Sequence, residues 1–173
     1  VWAISKQNYG LAAPKPTGGV TNAVIKYAVY DNQDREIPVY MRAYLPQTGS
    51  SLPVFAFAPG TTGMGDQCAA SLEQPQKANW ANYESHIATY AGQGYAAAVT
   101  DYEGMRDPVR LHHYMVGDLE GRAMLDSIRA LQNWDLSAGR LDKKAVFLSG
   151  YSQGGHSAMW ADKLNAKYAP DVK

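Results

Sequence analysis

The sequence predicts an α/β fold in which an antiparallel hairpin precedes parallel strands that alternate with helices. Three observations predict it. Short, nearly unbroken apolar runs at Pro53–Ala58, Tyr95–Thr100 and Ala145–Leu148 suit strands buried on both faces. Helical patterns at Asn79–Gln93, Gly117–Trp134 and Ser152–Tyr168 alternate with those runs. That order argues for a parallel sheet with helices packed on both faces.

Residues 1–19 hold glycines and prolines with little periodicity and read as a surface arm or loop. Ala23–Tyr30 ("AVIKYAVY") and Ile37–Leu45 ("IPVYMRAYL") are β-rich and flank a polar cluster, Asp31–Glu36, so they read as a hairpin. Pro38 places its segment at a sheet edge or a strand start. Gln47–Ser51 is a short connector before the first buried strand. The Asn79–Gln93 helix stops at Gly94, a good C-terminal cap position. In Gly117–Trp134 the apolar residues Met124, Leu125, Ile128 and Leu131 keep helical spacing, and Glu120, Arg122, Asp126 and Arg129 are expected to face water. The last helix stops before Pro170. No repeat or linker stands out, so residues 1–173 are read as one domain.

With 173 residues, 46% of them hydrophobic and 18% charged, the chain has the composition of a globular domain with a core. Its formal net charge is zero and it has no basic run, which argues against nucleic acid or an anionic membrane surface as partner. No apolar stretch approaches the roughly 20 residues of a transmembrane helix. Nothing in the sequence calls for a metal or a cofactor. Cys68 is the single cysteine, either a buried small hydrophobe or half of a disulfide whose partner lies elsewhere.

"GYSQG", Gly150–Gly154, places a serine between glycines, directly after a strand and before a helix. That context fits a nucleophile presented on a sharp bend. A serine hydroxyl is a weak nucleophile and must be held clear of the backbone for a base and a substrate. The bend crowds the residues two before and two after Ser152, so Gly150 and Gly154 must be small. The N–H of Gln153 then lies at a helix start, where backbone donors lack partners and the dipole is positive. It is placed to stabilise the negative oxygen formed when an ester carbonyl is attacked. The competing reading is that Ser152 only caps the helix.

A second donor is expected in the loop after an earlier strand. "APGTTGMGDQC", Ala58–Cys68, follows Pro53–Ala58, and its glycines let backbone N–H groups approach a ligand. Thr61 or Thr62 is the expected donor. An ordinary glycine-rich turn is the alternative. A phosphate loop is disfavoured because the Gly-Lys-Ser/Thr ending is absent.

Four stretches resemble the secretory lipase family of α/β-hydrolases, which includes fungal lipase A enzymes and bacterial relatives. They are "PGTTGMGDQCAAS" (Pro59–Ser71), "TDYEGM" (Thr100–Met105), "HHYMVGDLEGRAMLDSIRAL" (His112–Leu131) and "GYSQGGHSAMWADKLNAKYAPDV" (Gly150–Val172). The resemblance implies an α/β-hydrolase fold and hydrolysis of carboxylic esters, small or lipid, by a Ser–Asp–His triad. It implies Ser152 as nucleophile, and Gln153 with the Thr61–Thr62 pair as oxyanion donors. It also implies export, to the periplasm or the medium, with a leader removed before Val1, and a disulfide at Cys68. Arg106–Leu111 ("RDPVRL") departs from the family by its charge. A peptidase or acyltransferase on the same fold, or an inactive hydrolase-like binding module, remains open.

In this fold the acid and then the histidine follow the serine. After Ser152 the chain offers Asp162, Asp171 and His156. Asp162 lies in the same helix, and His156, one turn past the serine, is expected to pack or hydrogen-bond beside the bend. His112 and His113 precede the serine and read as structural residues near the rim, and His86 as a surface or packing residue. The expectation is an N-terminal half of a hydrolase domain, completed by a C-terminal segment or second chain that carries the acid and the base.

Overall fold

The computed structural model describes residues 19–73 and 82–173. The expected arm up to residue 18 and the first residues of the helix expected from Asn79 lie outside the described residues.

Strands β1 (Val20–Tyr30) and β2 (Glu36–Pro46) form the expected hairpin, paired antiparallel from Val20 opposite Pro46 to Tyr30 opposite Glu36. Asp31 holds the turn between them. Its Oδ1 accepts the N–H groups of Gln33 and Arg35, and its Oδ2 accepts the Arg35 guanidinium at 2.7 Å. β3 (Leu52–Ala58), β4 (Ala96–Thr100) and β5 (Leu141–Gly150) complete a sheet of order β1-β2-β4-β3-β5. β3 runs parallel to both β4 and β5, and β4 pairs antiparallel with β2 over Met41–Tyr44. Pro38 therefore sits at the end of β2 that β4 does not reach, where a missing N–H costs no ladder bond.

Helices α1 (Tyr83–Gly92), α2 (Gly117–Gln132) and α3 (Gln153–Tyr168) cover the two faces. The two-residue period of the strands explains the division. Phe55, Phe57, Ala97 and Val99 point to one face and bury Tyr83, Ile87 and Ala91 of α1. Val54, Ala56, Ala58, Ala96 and Ala98 point to the other and bury Met124, Leu125, Ile128 and Leu131 of α2 with Ala161 of α3. Small alanines on both faces of β4 let the helices approach closely, and the central strands carry no exposed side.

Two expectations need correction. The strand expected over Ala145–Leu148 is ten residues long and only partly buried, with Lys143, Lys144 and Phe147 exposed. Its place in the order explains this: β5 is the last strand of the sheet among the described residues, and one of its edges is unpaired there. The second correction concerns α2. Glu120 and Asp126, expected to face water, are 1% and 6% exposed. Asp126 accepts hydrogen bonds from Tyr168 Oη at 2.5 Å and Arg129 at 3.0 Å, and burial raises its carboxyl above the usual range. Glu120 belongs to the site described next.

Candidate active site

β5 ends at Gly150 and α3 begins at Gln153, so Tyr151 and Ser152 carry the whole reversal of the chain. Ser152 has φ 52° and ψ −115°, a backbone region that L-residues rarely enter and that costs about 1–3 kcal/mol. Its side chain makes no capping bond to α3, and the residue is exposed. The hydroxyl is therefore presented outward instead of serving the helix. The flanking glycines are required by contact. A Cβ on Gly150 would stand 2.0 Å from the Gly154 carbonyl oxygen, and one on Gly154 would stand 1.8 Å from that of Ala58.

The same approach brings the loop after β3 beside the bend. Tyr151 N–H reaches the Ala58 carbonyl at 3.4 Å, and a Cβ on Gly60 would lie 2.8 Å from the Tyr151 ring. The start of this loop is held from two sides. Tyr102 Oη donates to the Pro59 carbonyl at 2.5 Å, and the Gly60 N–H donates to Tyr83 Oη at 2.9 Å. Thr61 and Thr62 follow at once. Thr61 is exposed, with Oγ1 3.0 Å from Tyr114 Oη. Thr62 is half-buried, and its Oγ1 has no hydrogen-bond partner among the described residues.

The far end of the loop is tied to β4. Ser71 gives its N–H to Asp101 Oδ1 at 2.7 Å and its hydroxyl to Oδ2 at 2.5 Å, and Arg42 bonds the Ser71 carbonyl at 2.7 Å. Asp101 is fully buried, and burial pushes its carboxyl up to about 6 despite the Ser71 bonds and the nearby Arg106 and Arg42. Sequence reasoning missed this anchor. The available signal was an aspartate placed at the end of an otherwise apolar strand.

Beneath the bend lies a buried polar chain. Gln153 Nε2 is 2.8 Å from His112 Nε2 and 2.7 Å from Glu120 Oε1. His112 Nδ1 lies 2.9 Å from the Glu103 carbonyl, which can only accept, so Nδ1 carries the proton and Nε2 accepts from Gln153. Glu120 also accepts the Met115 N–H, and its Oε2 lies 2.9 Å from His156 Nδ1. His156 is thus hydrogen-bonded beside the bend, as its spacing implied. His113 pairs with Glu103 at 2.9 Å, and His86 packs edge-on against Phe57 with ring centroids 4.9 Å apart.

The acids after Ser152 are not brought to it. Asp171 is held by Arg129 in a two-pronged ion pair with contacts of 2.5 and 3.0 Å, which keeps its carboxyl below the usual range. Asp162 is exposed ten residues along α3, roughly 15 Å of helix from the bend. Among the described residues no group of three or more His, Cys, Asp or Glu side chains is placed to hold a metal ion.

The secretory lipase profile matches residues 81–173, more than half of the chain. The chain belongs to the secretory lipase family. Lipase A of Moesziomyces aphidis is 30% identical over 170 residues, which cover 92% of this chain and 35% of that protein. A secreted triacylglycerol lipase of Malassezia furfur is 33% identical over 114 residues, covering 62% of this chain and 28% of the relative. The chain therefore spans about a third of the length of these relatives. Among solved structures, a ligand-bound form of the rice cell wall degrading esterase LipA from Xanthomonas oryzae superposes with a TM-score of 0.72 at 22% identity, covering 98% of this chain and 43% of that one. That likeness establishes the α/β-hydrolase fold.

Proposed function

We propose that this chain carries the nucleophile and the oxyanion donors of an exported carboxylic-ester hydrolase whose substrates include lipid esters. The observation that carries the reading is Ser152: an exposed residue on a strained backbone, one residue before a helix, whose side chain makes no capping bond to that helix. The lipase names of its relatives supply the substrate class.

In this mechanism Ser152 Oγ attacks the ester carbonyl carbon while a histidine takes its proton. The carbonyl oxygen becomes an oxyanion and accepts hydrogen bonds from the N–H of Gln153 and from Thr61 or Thr62. The tetrahedral centre collapses, the C–O bond to the alcohol breaks, and the histidine returns the proton to the leaving oxygen. Water then attacks the acyl-serine by the same route in reverse roles. One well-placed oxyanion donor contributes about 3 kcal/mol to such a step.

The triad histidine and its aspartate are assigned to a segment beyond Lys173, as a continuation of the chain or as a second chain. Three facts support this. His156 and His112 are engaged with Glu120 and Gln153, Asp171 is engaged with Arg129, and the relatives are about three times as long. Export follows the secretory family, and no helix among the described residues is long and apolar enough to cross a membrane.

The test is to treat the full-length protein with a fluorophosphonate and map the adduct by mass spectrometry. A single adduct on Ser152, together with loss of nitrophenyl-ester hydrolysis in Ser152→Ala, is expected. Hydrolysis by Ser152→Ala within a few-fold of the parent would overturn the assignment.

A further inference from the structure

Gln153 contributes more to this site than its backbone. The residue is 2% exposed, and its side chain reaches His112 and Glu120 in the buried polar chain. The amide orientation there is determined by its neighbours. Glu120 Oε1 is an acceptor, and His112 Nε2 is an acceptor because His112 Nδ1 donates to the Glu103 carbonyl. Both contacts therefore require the NH2 end of Gln153, one hydrogen to each. The cost of this arrangement is visible at the other end: Gln153 Oε1 is buried with no partner among the described residues.

The groups that grip Gln153 are themselves built in. His112 stacks on Tyr102, with ring centroids 5.4 Å apart and planes 15° from parallel, and Tyr102 bonds the Pro59 carbonyl at the start of the loop that holds Thr61 and Thr62. Glu120 is fixed by the Met115 N–H and by His156, and its own carbonyl accepts the Ser157 hydroxyl from α3. One continuous set of contacts thus joins the β3 loop to the residue after Ser152.

We propose that the Gln153 side chain, gripped by His112 and Glu120, is a positioning residue that sets the direction of the Gln153 backbone N–H and holds Ser152 in its strained conformation. The inference rests on the reading of Ser152 as nucleophile. A residue with φ 52° relaxes toward ordinary backbone unless its neighbours hold it. On the helix side the Ser152 carbonyl accepts the His156 N–H at 3.2 Å, and this amide is the side-chain tether of the residue that follows. Misplacing a reacting group by about an ångström can reduce the rate about a hundredfold.

The test compares Gln153→Ala, Gln153→Met and Glu120→Gln in the full-length protein. Gln153→Ala keeps the N–H but loses both grips, and Gln153→Met restores the volume without them. Both are expected to lower kcat by about ten- to a hundredfold, with KM changed less than about twofold and fluorophosphonate labelling slowed in proportion. Glu120→Gln keeps an Oε1 acceptor for Gln153 and Met115, and His156 can take its other tautomer, so it should retain at least a third of the parent kcat. Recovery of kcat in Gln153→Met would show that Gln153 only fills space and overturn the proposal, as would a kcat within twofold of the parent in a folded Gln153→Ala. Should Ser152→Ala stay active, the nucleophile reading itself fails. Inactive Ser152→Ala beside fully active Gln153 variants removes the positioning role alone.

Discussion

Gly154 sits so close to the end of β3 that any side chain on it would collide with the Ala58 carbonyl oxygen, 1.8 Å from the position of its Cβ. The first turn of α3 is therefore laid directly on the strand that leads into the proposed oxyanion loop. The bend and the loop are one structural unit, and the following predictions probe it and its surroundings.

Gly154→Val is expected to destabilise the fold by about 3 kcal/mol or more, because the obstruction is backbone and has no flexible end to move aside. Gly150→Val, which meets the Gly154 carbonyl at 2.0 Å, should behave alike. Thermal melts report the effect. Two variants that melt with the parent would show that the bend is looser than described.

Asp101 should give stability a distinctive dependence on pH. Its carboxyl titrates near 3.8 when unfolded and near 6 in the fold, so the folded state binds the proton more tightly. Its favourable contribution is complete below the unfolded value and is lost as pH rises through the folded one. Asp101→Asn can still accept the Ser71 N–H and donate to its hydroxyl, but does not titrate. The stability of the parent relative to this variant is expected to fall by about 3 kcal/mol between about pH 3.5 and pH 7. Urea unfolding at several pH values measures it, and a flat difference across that range contradicts the assignment.

Cys68 is a free, half-buried thiol among the described residues, with Sγ packed under Gly63. On the proposal that the full-length protein is exported, Cys68 is expected to be oxidised and paired with a cysteine beyond Lys173. Titration of free thiols in denatured, unreduced protein decides the matter. One reactive thiol mapped to Cys68 would refute the pairing.

Residues 1–173 expressed alone are expected to lack ester hydrolysis above about a thousandfold below the full-length enzyme, with only the residual enhancement that oxyanion donors provide. They are also expected to self-associate through β5, whose edge, unpaired among the described residues, adjoins exposed Phe147 and Met159. Turnover assays and light scattering on the two proteins side by side are the measurements. Full turnover by residues 1–173 would return the role of base to His112, His113 or His156.

What the sequence disclosed and what it concealed follow from the range of the interactions. The bend was legible because its requirement is local: small residues two before and two after Ser152, between an apolar run and a helix pattern. The hairpin was legible from β-rich runs around the Asp31 turn. The burial of Glu120 was hidden because a charged residue on an amphipathic helix reads as solvent-facing. Its partners Gln153 and His156 lie more than thirty positions away on another helix. Asp101 was hidden in the same way, since Ser71 comes from a loop thirty positions earlier. The exposure of β5 depends on strand order, which pairing determines and apolar content does not.

The backbone of Ser152 has an implication for mutational drift. At φ 52° and ψ −115°, glycine would be the more stable occupant, since only a residue without Cβ enters that region freely. Random substitution filtered by folding alone would therefore move this position toward glycine. On the proposed reading the serine there is a residue that the backbone disfavours and the hydroxyl justifies, so in a lineage that ceased to need the reaction, this position should be among the first to change.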